Sequence, residues 1–142
     1  MISLRRLALA ILLASLVNTL LFTILFRDTD ALLHGAALTA EYWVVPPIGL
    51  VAVVAFFSFA WTSAGLLLLL AVGLLAIPQG MASLAAKLLF IGMGTGIGWV
   101  LFGLLLDSPL SMTVFGAVSA LIFVLTCPQW FAAWDKRGLA ES

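Results

Sequence analysis

The run LALAILLASLVNTLLFTILF at residues 7–26 holds no charged side chain over twenty positions, and three more long apolar tracts follow it. A bilayer's hydrocarbon core is about 30 Å thick, which a helix crosses in roughly 20 residues. Lipid satisfies no backbone N–H or C=O, so an uncharged run of this length specifies a helix that closes its own hydrogen bonds. With 65% hydrophobic and 8% charged residues, the 142-residue chain has room for four or five crossings. Nothing outside them is long enough for a separate soluble domain. The expectation is an all-α, polytopic integral membrane protein, residues 1–142 forming one helical-bundle domain.

Arg5 and Arg6 ahead of the first run imitate the start of a signal peptide. A cleaved apolar region is about 7–15 residues long, however, and the RDTD that follows offers no small-residue cleavage pair. Residues 7–26 therefore read as a retained first span. Arg27, Asp28 and Asp30 end it, and residues 27–46 form the one sizeable loop, on the outer side. Leu32, Leu33, Leu38, Tyr42 and Trp43 give that loop an interfacial character, since Tyr and Trp favour headgroup depth. Pro46 and Pro47 suit a helix entry, where the first N–H has no intrahelical partner to lose.

The second span is placed at 47–77. As one helix, its uncharged stretch from Ile48 to Ile77 would be about 45 Å long. That exceeds one perpendicular crossing and falls short of two. Splitting it at Trp61–Gly65 leaves halves that cannot reach across, so one long span is expected, tilted or kinked near Ser63–Gly65. A third span follows at 85–106, a tight turn at Asp107-Ser108-Pro109, and a fourth span at 110–127 closed by Pro128. Trp130, Phe131 and Trp134 read as an interfacial belt on the side away from Tyr42 and Trp43.

Basic residues collect on the cytoplasmic side of membrane proteins. With four spans and the N-terminus inside, Arg5, Arg6, Lys87, Lys136 and Arg137 lie inside and only Arg27 outside. Five spans would divide the same residues less cleanly. Both termini are therefore expected in the cytoplasm, with the protein in a bacterial inner (plasma) membrane.

Chemistry inside a bilayer normally uses ionisable side chains, which are costly there and so mark function. Here all six acids, Asp28, Asp30, Glu41, Asp107, Asp135 and Glu141, and the lone His34 fall in the expected loops or tail. Proton-coupled antiport, haem electron transfer and metal hydrolysis lose their usual residues. The acidic residue that small multidrug antiporters need in their first span is missing. Asp28, Asp30, His34 and Glu41 share the outer loop, but their spacing fits no defined cation loop; they read as a solvated acidic segment. Cys127 is the single cysteine, which excludes an internal disulfide. A net charge of zero gives nucleic acid no purchase. No catalytic, cofactor or metal residue is assigned, and an enzyme is not expected.

Two constellations remain. Gly92, Gly94, Gly96 and Gly98 make two four-residue stripes on the third span, read as adjoining, and Gly103 extends the Gly96 stripe. Small residues let helix backbones approach closely in lipid, so these five are expected at a helix contact. Asn18, Ser58, Thr62, Thr95 and Ser119 fall near one depth, as interhelical glue or as a polar midplane site of the kind transporters build. Asn18 is expected to bond to Thr95 or to a backbone carbonyl of the third span. The leading expectation is a non-enzymatic accessory or assembly subunit that packs against other membrane proteins, or itself, among membrane lipids. The alternative is a small homo-oligomeric channel or transporter for an uncharged or weakly polar solute.

Overall fold

The computed structural model describes residues 3–34, 48–103 and 109–133, which form helices and short turns with no strand among them. Helix α1 is Leu4–His34 and α2 is Ile48–Ala76. Helix α3, Ser83–Ile97, continues as a six-residue π-helical segment, Gly98–Gly103, and α4 is Pro109–Thr126. Three helices are long and apolar enough to cross a membrane, over Leu4–Leu21, Val54–Ala76 and Ser83–Val100; a shorter apolar stretch in α4 covers Met112–Thr126.

Helix α1 runs eight residues beyond the expected end at Phe26. Charges at Arg27, Asp28 and Asp30 end the apolar pattern, but residues 27–34 contain neither Gly nor Pro. Nothing there breaks a helix, and the first strong breaker is Gly35. The rest of the expected outer loop, 35–46 with Glu41, Tyr42 and Trp43, lies outside the described residues, as do Asp107, Ser108 and Trp134. Helix α2 passes through Trp61–Gly65 as one α-helix of 29 residues. Its Ser63 hydroxyl donates back to the Phe59 carbonyl at 2.7 Å, which satisfies that group inside the helix.

Sharp local signals close each connection. After α2, Met81 N–H bonds to the Pro78 carbonyl at 3.3 Å, and Gly80 between them has φ 83°. That third position of a four-residue turn is where a type II turn needs positive φ, which glycine adopts without strain. Pro109 opens α4 at the position that tolerates it. Pro128 ends it, and the chain then makes a further helical segment at 128–133, begun by a 3.1 Å bond from Trp130 N–H to the Cys127 carbonyl.

Contacts between helices fix their directions. Gly94 of α3 faces Gly116 and Ala120 of α4, and Gly98 faces Met112, so α3 and α4 are antiparallel. Leu69 of α2 meets Gly94, and Gly73 meets Phe90, so α2 and α3 are antiparallel too. At the end where α3 begins and α4 finishes, Phe90 packs on Phe123, Trp130 and Phe131 with ring centroids 5.1, 5.4 and 5.5 Å apart. Phe131 is 0% exposed. Phe131 thus belongs to the core, with the half-buried Trp130 packed against it, and Phe131 does not face outward as a belt residue would. The reason is the turn at Pro128, which sends residues 128–133 back over the bundle end where Gly73 leaves room for Phe90 and Trp130. Outward faces are apolar: Leu75 is 89% exposed, an arrangement suited to acyl chains rather than water.

Candidate functional site

Asn18 of α1 is 5% exposed, and its Nδ2 donates to Thr62 Oγ1 of α2 at 3.0 Å and to Ser119 Oγ of α4 at 2.8 Å. One amide thus ties three helices together. A carboxamide offers two donors and two lone pairs. Both donors are used, while Oδ1 is buried with no hydrogen-bond partner among the described residues. Ser15 Oγ, one turn earlier on α1, is likewise buried and unpaired. An unsatisfied buried acceptor costs about 1–3 kcal/mol, more than a typical hydrogen bond contributes.

Asn18, Thr62 and Ser119 border a cleft of about 320 Å³ between α2 and the α3–α4 pair, at the low end of the roughly 300–1,000 Å³ of small-molecule sites. Asn18, Ser58, Thr62 and Ser119 supply its polar wall. Phe57, Trp61, Met112 and Phe115 supply much of the apolar one, and Gly65, Gly94, Gly98 and Gly116 supply room. No charged side chain is among the described residues lining it. Phe57 and Trp61 are 56% and 39% exposed, so the cleft's flank on α2 faces the surface that lipid would cover.

Four of the five midplane polar residues therefore line one cleft. Thr95 does not: its hydroxyl donates to the Ile91 carbonyl of its own helix at 2.9 Å. Asn18 accordingly bonds to α2 and α4, not to Thr95 or the third span, because α4 and not α3 is the helix that faces it. Ser58 Oγ donates to the Ser15 carbonyl at 3.2 Å, a second link from α2 to α1.

The glycines divide sharply. A methyl built on Gly94 would stand 2.7 Å from Ala120 Cβ and 2.9 Å from the Gly116 carbonyl, and one on Gly98 would collide with the Met112 carbonyl. A methyl built on Gly92 or Gly96 meets nothing within 4 Å among the described residues. The two stripes do not adjoin. At 3.6 residues per turn a two-residue offset is about 200°, so they occupy nearly opposite faces of α3. Gly103 ends the π-helical segment, whose wider winding breaks the repeat that would have aligned it with Gly96.

Sequence reasoning passed over Gly116 and Ala120, although their four-residue spacing is the same small-residue signal as in α3. It treated Gly65 as punctuation, and it lies in the cleft. The side chains of Asp28, Asp30 and His34, and all of Glu41, lie outside what the structure describes; among the described residues no cluster of metal-binding side chains occurs. Comparisons with protein-family models, curated proteins and solved structures find no match.

Proposed function

We propose that this is a four-span membrane protein whose cleft binds a small, uncharged, weakly polar molecule inside the bilayer, as a carrier or channel for it. The observation that carries this reading is the Asn18–Thr62–Ser119 group, set in the wall of an otherwise apolar cleft. A hydroxyl- and amide-lined, charge-free wall suits a neutral solute and gives an ion no compensation for its lost hydration. None of its described lining side chains is a general acid or base that would activate those hydroxyls, so the reading is non-enzymatic.

Helix α4 counts as the fourth span in this reading. Both termini are cytoplasmic in a bacterial plasma membrane, since the antiparallel packing of α2, α3 and α4 matches an alternating path and the basic residues favour that side. Reporter fusions at Ser142 and within residues 35–40 test the orientation; an outward Ser142 with an inward N-terminus would sink it.

Binding is tested with the full chain in lipid nanodiscs and the uncharged fluorophore N-phenyl-1-naphthylamine. The expected result is saturable binding near one probe per chain, lost in Gly65→Phe, which fills the cleft. Uptake that rises linearly and equals that of empty nanodiscs overturns the reading.

A second reading, an accessory or assembly subunit, is favoured by the open Gly92/Gly96 face of α3. Such a face lets a partner helix, from another membrane protein or a second copy, approach closely. Gentle solubilisation that releases the chain only within a larger complex, reduced to the single chain by Gly96→Leu, supports it; the same mass for both chains removes it.

A further inference from the structure

At the end of the bundle where α1 and α3 begin and α4 finishes, positive charge is gathered without an answering acid. Arg5 and Arg6 lie in the first turn of α1, and Lys87 lies near the start of α3. None of the three makes an ion pair or a side-chain hydrogen bond with a described residue, and no acid occurs among the described residues at this end. In the sequence the tail's two acids, Asp135 and Glu141, are matched by Lys136 and Arg137, so the tail brings no net charge to offset them.

Two of these cations are turned inward rather than spread around the rim. Arg6 heads the stripe of Ala10, Ala14 and Asn18 on α1; the two alanines are fully buried, and the amide bonds to Ser119 of α4. Lys87 heads the stripe of Ile91, Gly94 and Gly98 on α3, whose glycines meet Gly116 and Met112 of α4. Both stripes face α4, so both cations are delivered beside its end. Each is half-buried, while Arg5 is exposed. The Arg6 charge also acts on the Cys127 thiol, just past α4.

Next to these cations the outer surface is apolar: Leu9, Leu12 and Leu16 of α1 and Leu84 and Leu88 of α3 are exposed. Cations at the head of apolar ridges match a molecule with an anionic head and hydrocarbon tails. We infer that this end of the bundle binds an anionic phospholipid, its phosphate held by Arg6 and Lys87 and its acyl chains laid along those leucines.

A guanidinium presents paired N–H donors to the two free oxygens of a phosphodiester. Lys87 runs its stem along apolar surface and brings its ammonium to the same polar layer. A zwitterionic head carries the same phosphate, but its trimethylammonium group cancels the net charge and is repelled by both cations. The site therefore selects phosphatidylglycerol over phosphatidylcholine. Inorganic phosphate has no chains and forfeits the leucine contacts. This inference needs the chain to sit in a bilayer but makes no use of the cleft, so it stands or falls apart from solute binding.

The full chain in neutral detergent, supplied with equal amounts of phosphatidylglycerol and phosphatidylcholine of identical chains, is weighed by native mass spectrometry. Phosphatidylglycerol should be retained over phosphatidylcholine by about 5-fold for each cation engaged, and millimolar inorganic phosphate should not displace it. Arg6→Gln with Lys87→Gln should abolish the preference. Lys136→Gln with Arg137→Gln removes the same charge from the tail and should leave the preference intact.

Equal retention of the two lipids by the wild type overturns the inference, and that measurement needs no variant to fold. A preference lost with the tail pair means diffuse attraction to net charge, and the inference fails. It fails equally if the preference survives in Arg6→Gln with Lys87→Gln. Displacement by inorganic phosphate means a small-anion site with no part for the acyl chains, which also overturns it.

Discussion

Gly94 and Gly116 meet backbone to backbone: a methyl on Gly94 would stand 2.9 Å from the Gly116 carbonyl, and one on Gly116 would strike the carbonyl of Gly94. In lipid no hydrophobic effect drives helices together, so this close approach is a large part of what holds α3 on α4.

Gly116→Ala should therefore destabilise the bundle by about 2–3 kcal/mol, the upper end of overpacking costs, because the obstacle is backbone and cannot rotate away. Gly96→Leu should leave the stability of the single chain nearly unchanged, as a methyl built there meets nothing within 4 Å among the described residues. Thermal melts of the two variants in the same detergent check the contrast. Equal losses would mean that α3 is rotated from the orientation described.

Phe131→Ala should cost about 3–5 kcal/mol, the range for truncating a buried aromatic, since its ring is enclosed against Phe90, Phe123 and Trp130. An interfacial anchor would lose far less. Melting temperature of Phe131→Ala beside Leu125→Ala, a 70% exposed control, separates the two. Truncation after Thr126 should be at least as damaging, because it uncovers Phe90.

The helices were legible because bilayer length and charge exclusion act locally on consecutive residues. The end of α1 was not, since the apolar run stops at Phe26 while helix-permitting residues continue to His34. Rotation about each helix axis is the harder quantity. The sequence marks both glycine stripes of α3 equally, and only the seating of α4 decides that Gly94 and Gly98 are covered while Gly92 and Gly96 are open. For the same reason a buried amide at Asn18 can be read as needing partners, whereas the identity of Thr62 and Ser119 depends on helix register that no local pattern encodes. Phe131 lies beyond a proline, where a span ends and an interface normally begins; its return to the core is a long-range event.

Cys127 is buried beneath the same aromatic end of the bundle. A membrane-permeant maleimide should label it slowly in the folded protein and quickly after denaturation in strong detergent. Phe131→Ala should speed the labelling of the folded chain several-fold, because the lid over that end is thinned. Rapid labelling of the wild type would place Cys127 at the surface and disperse the cluster around it.

The Asn18 network makes opposite predictions for its centre and its rim. Asn18→Leu removes the amide together with its unsatisfied oxygen, and the Thr62 and Ser119 hydroxyls can turn to carbonyls one turn back on their own helices. The loss should be small, about 1 kcal/mol, in line with measured interhelical hydrogen bonds in membranes. The pair Thr62→Val with Ser119→Ala keeps the amide and strips both acceptors, leaving two N–H donors buried beside an oxygen that is already unpaired. That chain should lose about 2–4 kcal/mol, since an orphaned buried group costs more than the bond it made. Adding Asn18→Leu to the double variant should recover much of the loss, a non-additivity that identifies one coupled group. Reversible unfolding of the four chains in the same bicelles measures it. Additive losses would mean that Asn18 finds other partners, and that the three residues do not act as a unit.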